Sequence, residues 1–200
     1  MMKDGATLVL ASQSGSRQAM LAAAGIAFEA VPAHLDERAV EAGLADCAPD
    51  AVAAALAEAK ARAVAADRPA RLVLGSDSLV VCGGRRFDKP ATRDEAAAHL
   101  AWFSGKDIEL HSAAALVRDG TTLWRHAECA RLRVRALSPG FIERYLAAEW
   151  PAVAGCVGVF RIEGLGVHLF EHIEGSQFTV LGMPLLAVLA ALRGQGVVAA

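Results

Sequence analysis

Three side chains able to hold phosphate stand within six residues: Ser12, Ser14 and Arg17, in the stretch Ser12-Gln13-Ser14-Gly15-Ser16-Arg17. An apolar run precedes them and a helical-looking segment follows. A strand-to-helix loop of this kind gathers backbone N–H groups at the positive end of the helix dipole. Serine hydroxyls add donors, and a guanidinium matches phosphate with paired N–H groups. The plainer reading is a helix cap, and the loop lacks the GxxxxGK pattern of a P-loop. Acids come next. Asp77 ends the apolar run Leu72-Val73-Leu74-Gly75-Ser76, and Asp36-Glu37 follows a second apolar run. Carboxylates from separate strand ends can share a hard divalent cation, Mg²⁺ or Mn²⁺, with substrate phosphates. A turn-forming aspartate and a pair of helix-starting acids are the structural alternatives. Lysine is the third signal. The chain has 16 Arg and only 4 Lys, yet Lys60, Lys89 and Lys106 fall beside these features. A compact ammonium binds phosphate as a point charge, although ordinary solvation also accounts for a lysine.

Other chemistries lack support. No Ser/His/Asp or Cys/His arrangement stands out, and Ser12 is not in a GxSxG elbow. The six histidines show no metal-ligand spacing and read as structural or surface residues. The four cysteines are far apart without a CxxC, which points to thiols in a reducing cytosol rather than zinc or disulfides. A net charge of −2 argues against non-specific attraction to nucleic acid or membrane. The first residues do not read as a signal peptide, and the apolar stretch 184 to 192 is too short to span a bilayer. A cytoplasmic protein is expected.

These side chains need elements to position them. Residues 7 to 11 and 28 to 31 read as strands, 16 to 24 as a helix ending at Gly25, and 49 to 66 as an Ala-rich helix. A buried strand covers 72 to 74, continues through Asp77 to 82 and turns at Gly83-Gly84. Thr92-Arg93-Asp94-Glu95 is a capping box opening a helix to about 103. Strands follow at 109 to 117 and 123 to 137, with a turn at 118 to 120. Arg131, Arg133 and Arg135 form a period-two basic face, read as a solvated one. A helix over 139 to 148, a Gly-rich segment, a strand at 167 to 170 and a last helix at 184 to 193 complete the chain, with a loose tail from 194. The class is α/β or α+β with a mixed sheet, sized for one domain or two small lobes.

The ordered set resembles the Maf family of nucleoside triphosphate pyrophosphatases over about residues 7 to 193 as a single domain. The resemblance runs through Ser12-Gln13-Ser14-Gly15-Ser16-Arg17, Asp36-Glu37, Lys60-Ala61, Gly75-Ser76-Asp77, Asp88-Lys89-Pro90 and Ser104-Gly105-Lys106. It continues through Gly158 to Glu163-Gly164, Ile173-Glu174-Gly175 and Gly182-Met183-Pro184. Gly15, Ser16, Asp107-Ile108 and Phe160 depart from the family pattern.

What the resemblance implies is an α/β fold like that of the inosine triphosphate pyrophosphatases: an elongated mixed sheet flanked by helices, with two lobes around a cleft. It also implies hydrolysis of a nucleoside triphosphate to the monophosphate and pyrophosphate with a divalent metal cation. Ser12, Ser14, Arg17, Lys60, Lys89 and Lys106 would hold the triphosphate. Glu37 and Asp77 would bind the metal or activate water, with Asp77 the expected base and Glu37 the alternative. Glu163 would read the base. A carboxylate only accepts, which suits the N1–H and N2–H₂ of guanine or a cationic methylated guanine, and so favours a purine or modified nucleotide. Two rivals stay open: a nucleotidyltransferase, and a nucleotide-binding regulator of cell division. A homodimer is expected by analogy alone.

Overall fold

The computed structural model describes residues 8–199. Thr7 of the expected first strand, the residues read as not forming a signal peptide before it, and Ala200 of the tail lie outside the described residues. No described helix is long and apolar enough to cross a membrane.

In chain order the elements are β1 (Leu8–Leu10), α1 (Gly15–Ala23), β2 (Phe28–Ala30), α2 (Glu37–Ala42), α3 (Pro49–Ala65), β3 (Val73–Cys82) and β4 (Arg85–Phe87). They continue with α4 (Arg93–Phe103), β5 (Asp107–Arg118), β6 (Thr121–Val134), α5 (Pro139–Glu149), a 3-10 helix (Leu165–Leu169), β7 (Phe170–Glu174), α6 (Gln177–Val180) and α7 (Leu185–Gly194). The fold is mixed α/β. Its seven-stranded sheet has the order β2-β1-β3-β5-β6-β7, with β4 paired to β3. β1 is parallel to β2 and β3, whereas β4 and β7 run antiparallel to β3 and β6. β5 and β6 are joined by Asp119-Gly120, both at positive φ (48° and 71°), as the twist of a two-residue hairpin demands.

The chain divides into two compact units. One holds the described residues up to Ser78, Ser112–Glu128 and the described residues from Gln177. Its core explains why β1 is apolar at every position. Leu8 and Leu10 pack with Met20 and Leu21 of α1 and Leu185, Val188 and Leu192 of α7. Val9 and Ala11 pack with Ala61, Val64 and Ala65 of α3. A parallel strand covered on both faces cannot alternate with polar residues. The other unit holds Leu79–His111 and Cys129–Ser176. There Phe87 meets His99 and Phe103 edge-on, at ring centroids of 5.0 and 4.7 Å. Tyr145 Oη donates to the Val159 carbonyl at 3.0 Å, and Arg161 is paired with the buried Glu149 at 2.8 Å.

One expectation needs correction. Residues 167 to 170 do not begin a strand: Leu165–Leu169 is a 3-10 helix, and β7 starts at Phe170. The cause is Gly166, where a Cβ would meet the Arg161 backbone (2.8 Å to its nitrogen), so the chain coils back on itself. Glu37 opens the short helix α2 with Asp36 as its cap, as the helix-starting alternative for this pair of acids has it.

Candidate active site

Strand β3 carries the chemistry, and its period of two sorts it. Alternate residues of a strand face opposite ways. Gly75 and Asp77 face α3, whereas Ser76 and Ser78 face Gly182 and Arg17. Gly75 is required by packing. A Cβ there would collide with the Ala57 carbonyl and come within 2.8 Å of the Ala61 nitrogen. Helix α3 therefore lies directly on the strand, and Lys60, between those two residues, reaches the next outward side chain, Asp77.

The ammonium of Lys60 lies 2.5 Å from Asp77 Oδ1 and 3.0 Å from Glu37 Oε1. Asp77 is buried at 6% exposure and the Lys60 side chain at 13%, while Glu37 is 47% open. Glu37 arrives there because Asp36 caps α2, accepting from the Ala39 N–H at 3.1 Å. The two adjacent acids thus divide the work: Asp36 starts the helix and Glu37 faces the cation. The carboxylates converge on one ammonium, and the oxygens that Lys60 does not take are the hard donors that a divalent ion shared with substrate phosphates would use. Among the described residues no group of three or more His, Cys, Asp or Glu gathers to cage a metal. With Oδ1 on Lys60, the Oδ2 of Asp77 is left to receive a proton.

Arg17 is held from three sides. Its Nε donates to the Gly182 carbonyl at 2.9 Å, Nη1 to Ser12 Oγ at 3.4 Å and Nη2 to Ser78 Oγ at 3.0 Å. A guanidinium has five N–H groups, so these bonds fix its plane and leave one on each terminal nitrogen. Burial pushes its pKa down, and the charges of Asp77 and Glu37 oppose that. The serine loop is no ordinary cap. Ser14 is the N-cap residue of α1, yet its side chain makes no cap bond and meets Ser16 Oγ at 3.0 Å instead. Ser12 Oγ accepts the Ser14 N–H at 3.2 Å. The first-turn amides of α1 are not taken by serine oxygens, and α1 has no acid in that turn. An anion is the natural partner for such an end.

Glu37, Lys60, Asp77, Arg17, Ser12 and Ser14 thus lie in one unit. Lys89, Lys106 and Glu163 belong to the other. Lys89 and Glu163 are exposed. Lys106 donates to the Trp102 carbonyl at 2.6 Å and lies over its ring at 4.4 Å. It lines a cavity of about 550 Å³ with Arg131 and Arg133, which pair with Glu109 and Asp107 at 3.1 and 3.3 Å. The basic face of β6 is therefore matched by acids on β5. Sequence reasoning missed Ser76, Ser78, Ser112 and the Gly182 carbonyl. The signal for two of them was in view, since Ser-Asp-Ser inside an apolar strand places two hydroxyls opposite the acid.

A family model described as Maf-like protein matches residues 7–195. A 7-methyl-GTP pyrophosphatase of Mesorhizobium japonicum is 50% identical over 193 residues, 96% of this chain and 97% of its own. A nucleoside triphosphate pyrophosphatase of Nitrobacter hamburgensis is 48% identical over 189 residues, 94% of each. Among solved structures, a HAM1 protein from Coxiella burnetii aligns with 64% of this chain and 73% of its own, at a TM-score of 0.43 and 19% identity.

Proposed function

Because this chain belongs to the family of Maf-like proteins, we propose that the carboxylate pair around Lys60 serves the hydrolysis of nucleoside triphosphates. The chain is a nucleoside triphosphate pyrophosphatase, as its nearly full-length relatives are named. One observation carries the assignment of roles: a buried aspartate and an open glutamate meet on a single lysine ammonium.

In the proposed reaction the serine loop, Arg17 and Lys60 hold the phosphates. Arg17 gives its two remaining N–H groups, and Lys60 its third. Asp77 takes a proton from water through Oδ2 as the water oxygen bonds to the α-phosphorus. The bond from that phosphorus to the bridging oxygen breaks, and pyrophosphate leaves with its electron pair. Such a reaction needs an oriented water and charge neutralisation, with no covalent intermediate. Glu37 and Asp77 would also hold a divalent cation, which supplies further neutralisation of phosphate charge when bound. Cytoplasmic location, a homodimer and the roles of Lys89 and Lys106 belong to the same proposal.

The test is pyrophosphate release from a panel of normal and modified nucleoside triphosphates with Mg²⁺ or Mn²⁺. Turnover on a subset is expected, with loss in EDTA and recovery on adding the metal. Undiminished turnover in EDTA would remove the cation from the account.

Base choice is assigned to Glu163, with a guanine or 7-methylguanine nucleotide as the expected substrate. This follows from its acceptor-only carboxylate, and one close relative is named for 7-methyl-GTP. Glu163→Gln is expected to shift the kcat/KM ratio of 7-methyl-GTP to UTP toward UTP by about tenfold, ~1.4 kcal/mol. An unchanged ratio would sink the assignment.

A further inference from the structure

The hydroxyl protons around Arg17 can be counted. Five donors and four acceptor oxygens meet in one cluster: Arg17 Nε and Nη2 and the hydroxyls of Ser76, Ser78 and Ser112 donate, and the Gly182 and Thr179 carbonyls and the Ser78 and Ser112 oxygens accept. Three groups lie within donating distance of the Gly182 carbonyl: Arg17 Nε at 2.9 Å, Ser78 Oγ at 2.9 Å and Ser76 Oγ at 3.2 Å. A carbonyl oxygen has two lone pairs, so three donors are one too many. Ser112 resolves the excess. It is fully buried, and its own proton goes to the Thr179 carbonyl at 2.8 Å. Its Oγ, 3.0 Å from Ser78 Oγ, must then act as acceptor in that pair. Ser78 donates to Ser112, which leaves the Gly182 carbonyl to Arg17 and Ser76. The oxygen of Ser78, its proton spent, accepts from Arg17 Nη2 at 3.0 Å. Every donor in the cluster has then one acceptor.

We infer that Ser112 is a positioning residue for the reaction: by accepting the Ser78 proton it keeps the Gly182 carbonyl for Arg17 and so fixes the plane of the guanidinium. Without the Ser112 oxygen, the Ser78 hydroxyl turns to Gly182 and competes with Arg17 Nε. A carbonyl shared among three donors holds none of them well, and the two guanidinium N–H groups aimed at phosphate lose their direction. The Gly182 backbone lies close against Ser78 and Arg17. Gly182 sits at φ +100°, and a Cβ there would be 3.1 Å from Ser78 Oγ.

The inference rests on the reading of Arg17 as a phosphate ligand, and a double-mutant cycle separates the two. Pyrophosphate release by the full chain is measured for Ser112→Ala, Arg17→Ala and the pair, using the best substrate of the panel. Arg17→Ala alone is expected to lower kcat/KM about a hundredfold. Ser112→Ala is expected to lower it about tenfold when Arg17 is present and less than twofold when Arg17 is absent. Ser112→Thr, which keeps the hydroxyl, is expected to stay within threefold of the native chain. Ser112→Cys, whose thiol is a weak acceptor, carries the alanine expectation should that variant not fold. Equal factors in both backgrounds would mean general damage and overturn the inference. So would a tenfold loss in the threonine variant, or native kcat/KM in Ser112→Ala beside a crippled Arg17→Ala. Native activity in Arg17→Ala would instead overturn the reading of Arg17, and the inference with it.

Discussion

Replacing Asp77 with asparagine should lower kcat about a thousandfold while the protein still folds and still binds nucleotide. Asparagine keeps the shape and one oxygen for Lys60 but has no basic oxygen to accept the water proton. A positioned general base contributes about 10²–10⁴-fold, and a thousandfold loss is ~4 kcal/mol of barrier. Folding survives because Glu37, 3.0 Å away, still neutralises the Lys60 ammonium. The glutamate variant offers the comparison. Glu37 is half open and at the start of a six-residue helix, so Glu37→Gln should cost roughly ten- to a hundredfold, chiefly through cation and phosphate binding. Single-turnover kinetics with saturating nucleotide separate the two. A deeper loss in Glu37→Gln than in Asp77→Asn would exchange their roles.

The second large effect is expected where no chemistry takes place. Gly75→Ala adds one methyl group between β3 and α3, at a point where the Ala61 nitrogen would be only 2.8 Å away and the Ala57 carbonyl nearer still. Backbone cannot rotate aside as a side chain can, so helix and strand must part. Overpacking of this kind costs about 1–3 kcal/mol, occasionally more. A loss of about 3 kcal/mol lowers Tm by roughly 6–12 °C in a chain of this length. Activity should fall as well, because the same movement carries Lys60 away from Asp77. Thermal unfolding and kcat/KM of Gly75→Ala check both halves. An unaltered Tm would mean that the close approach of α3 is not what seats the lysine.

This pair of effects also shows what the sequence could reveal. Asp77 was visible because a carboxylate after a run of apolar residues is chemically out of place. Lys60 was visible as a rare lysine in an arginine-rich chain and through the resemblance at Lys60-Ala61. Gly75 is equally part of the site, yet its reason is a carbonyl on α3, eighteen residues earlier, and no local pattern encodes that approach. Helix α2 was legible only as the helix-starting alternative for Asp36-Glu37, for a related reason. It has no buried residue, so no apolar stripe announces it, and the Asp36 cap is its main local signal. The strand assigned to 167–170 failed in the opposite way. Val167 to Phe170 alternates as a strand would, but the fold at Gly166 forces a 3-10 turn first, and pairing begins only where Phe170 meets Val134. The serine cluster was legible in part. The period of two that puts Ser76 and Ser78 on one side of β3 was in view but not used, whereas Ser112 and Gly182 join them from distant segments of the chain.

The roles given to Lys60, Asp77 and Arg17 all serve one bond, that between the α- and β-phosphates. Hydrolysis in ¹⁸O-labelled water, with products resolved by mass spectrometry, tests that most directly. The account predicts equal amounts of monophosphate and pyrophosphate, with one labelled oxygen in the monophosphate and none in the pyrophosphate. Label in the pyrophosphate would place the attack on the β-phosphorus, and release of diphosphate with inorganic phosphate would contradict the account altogether.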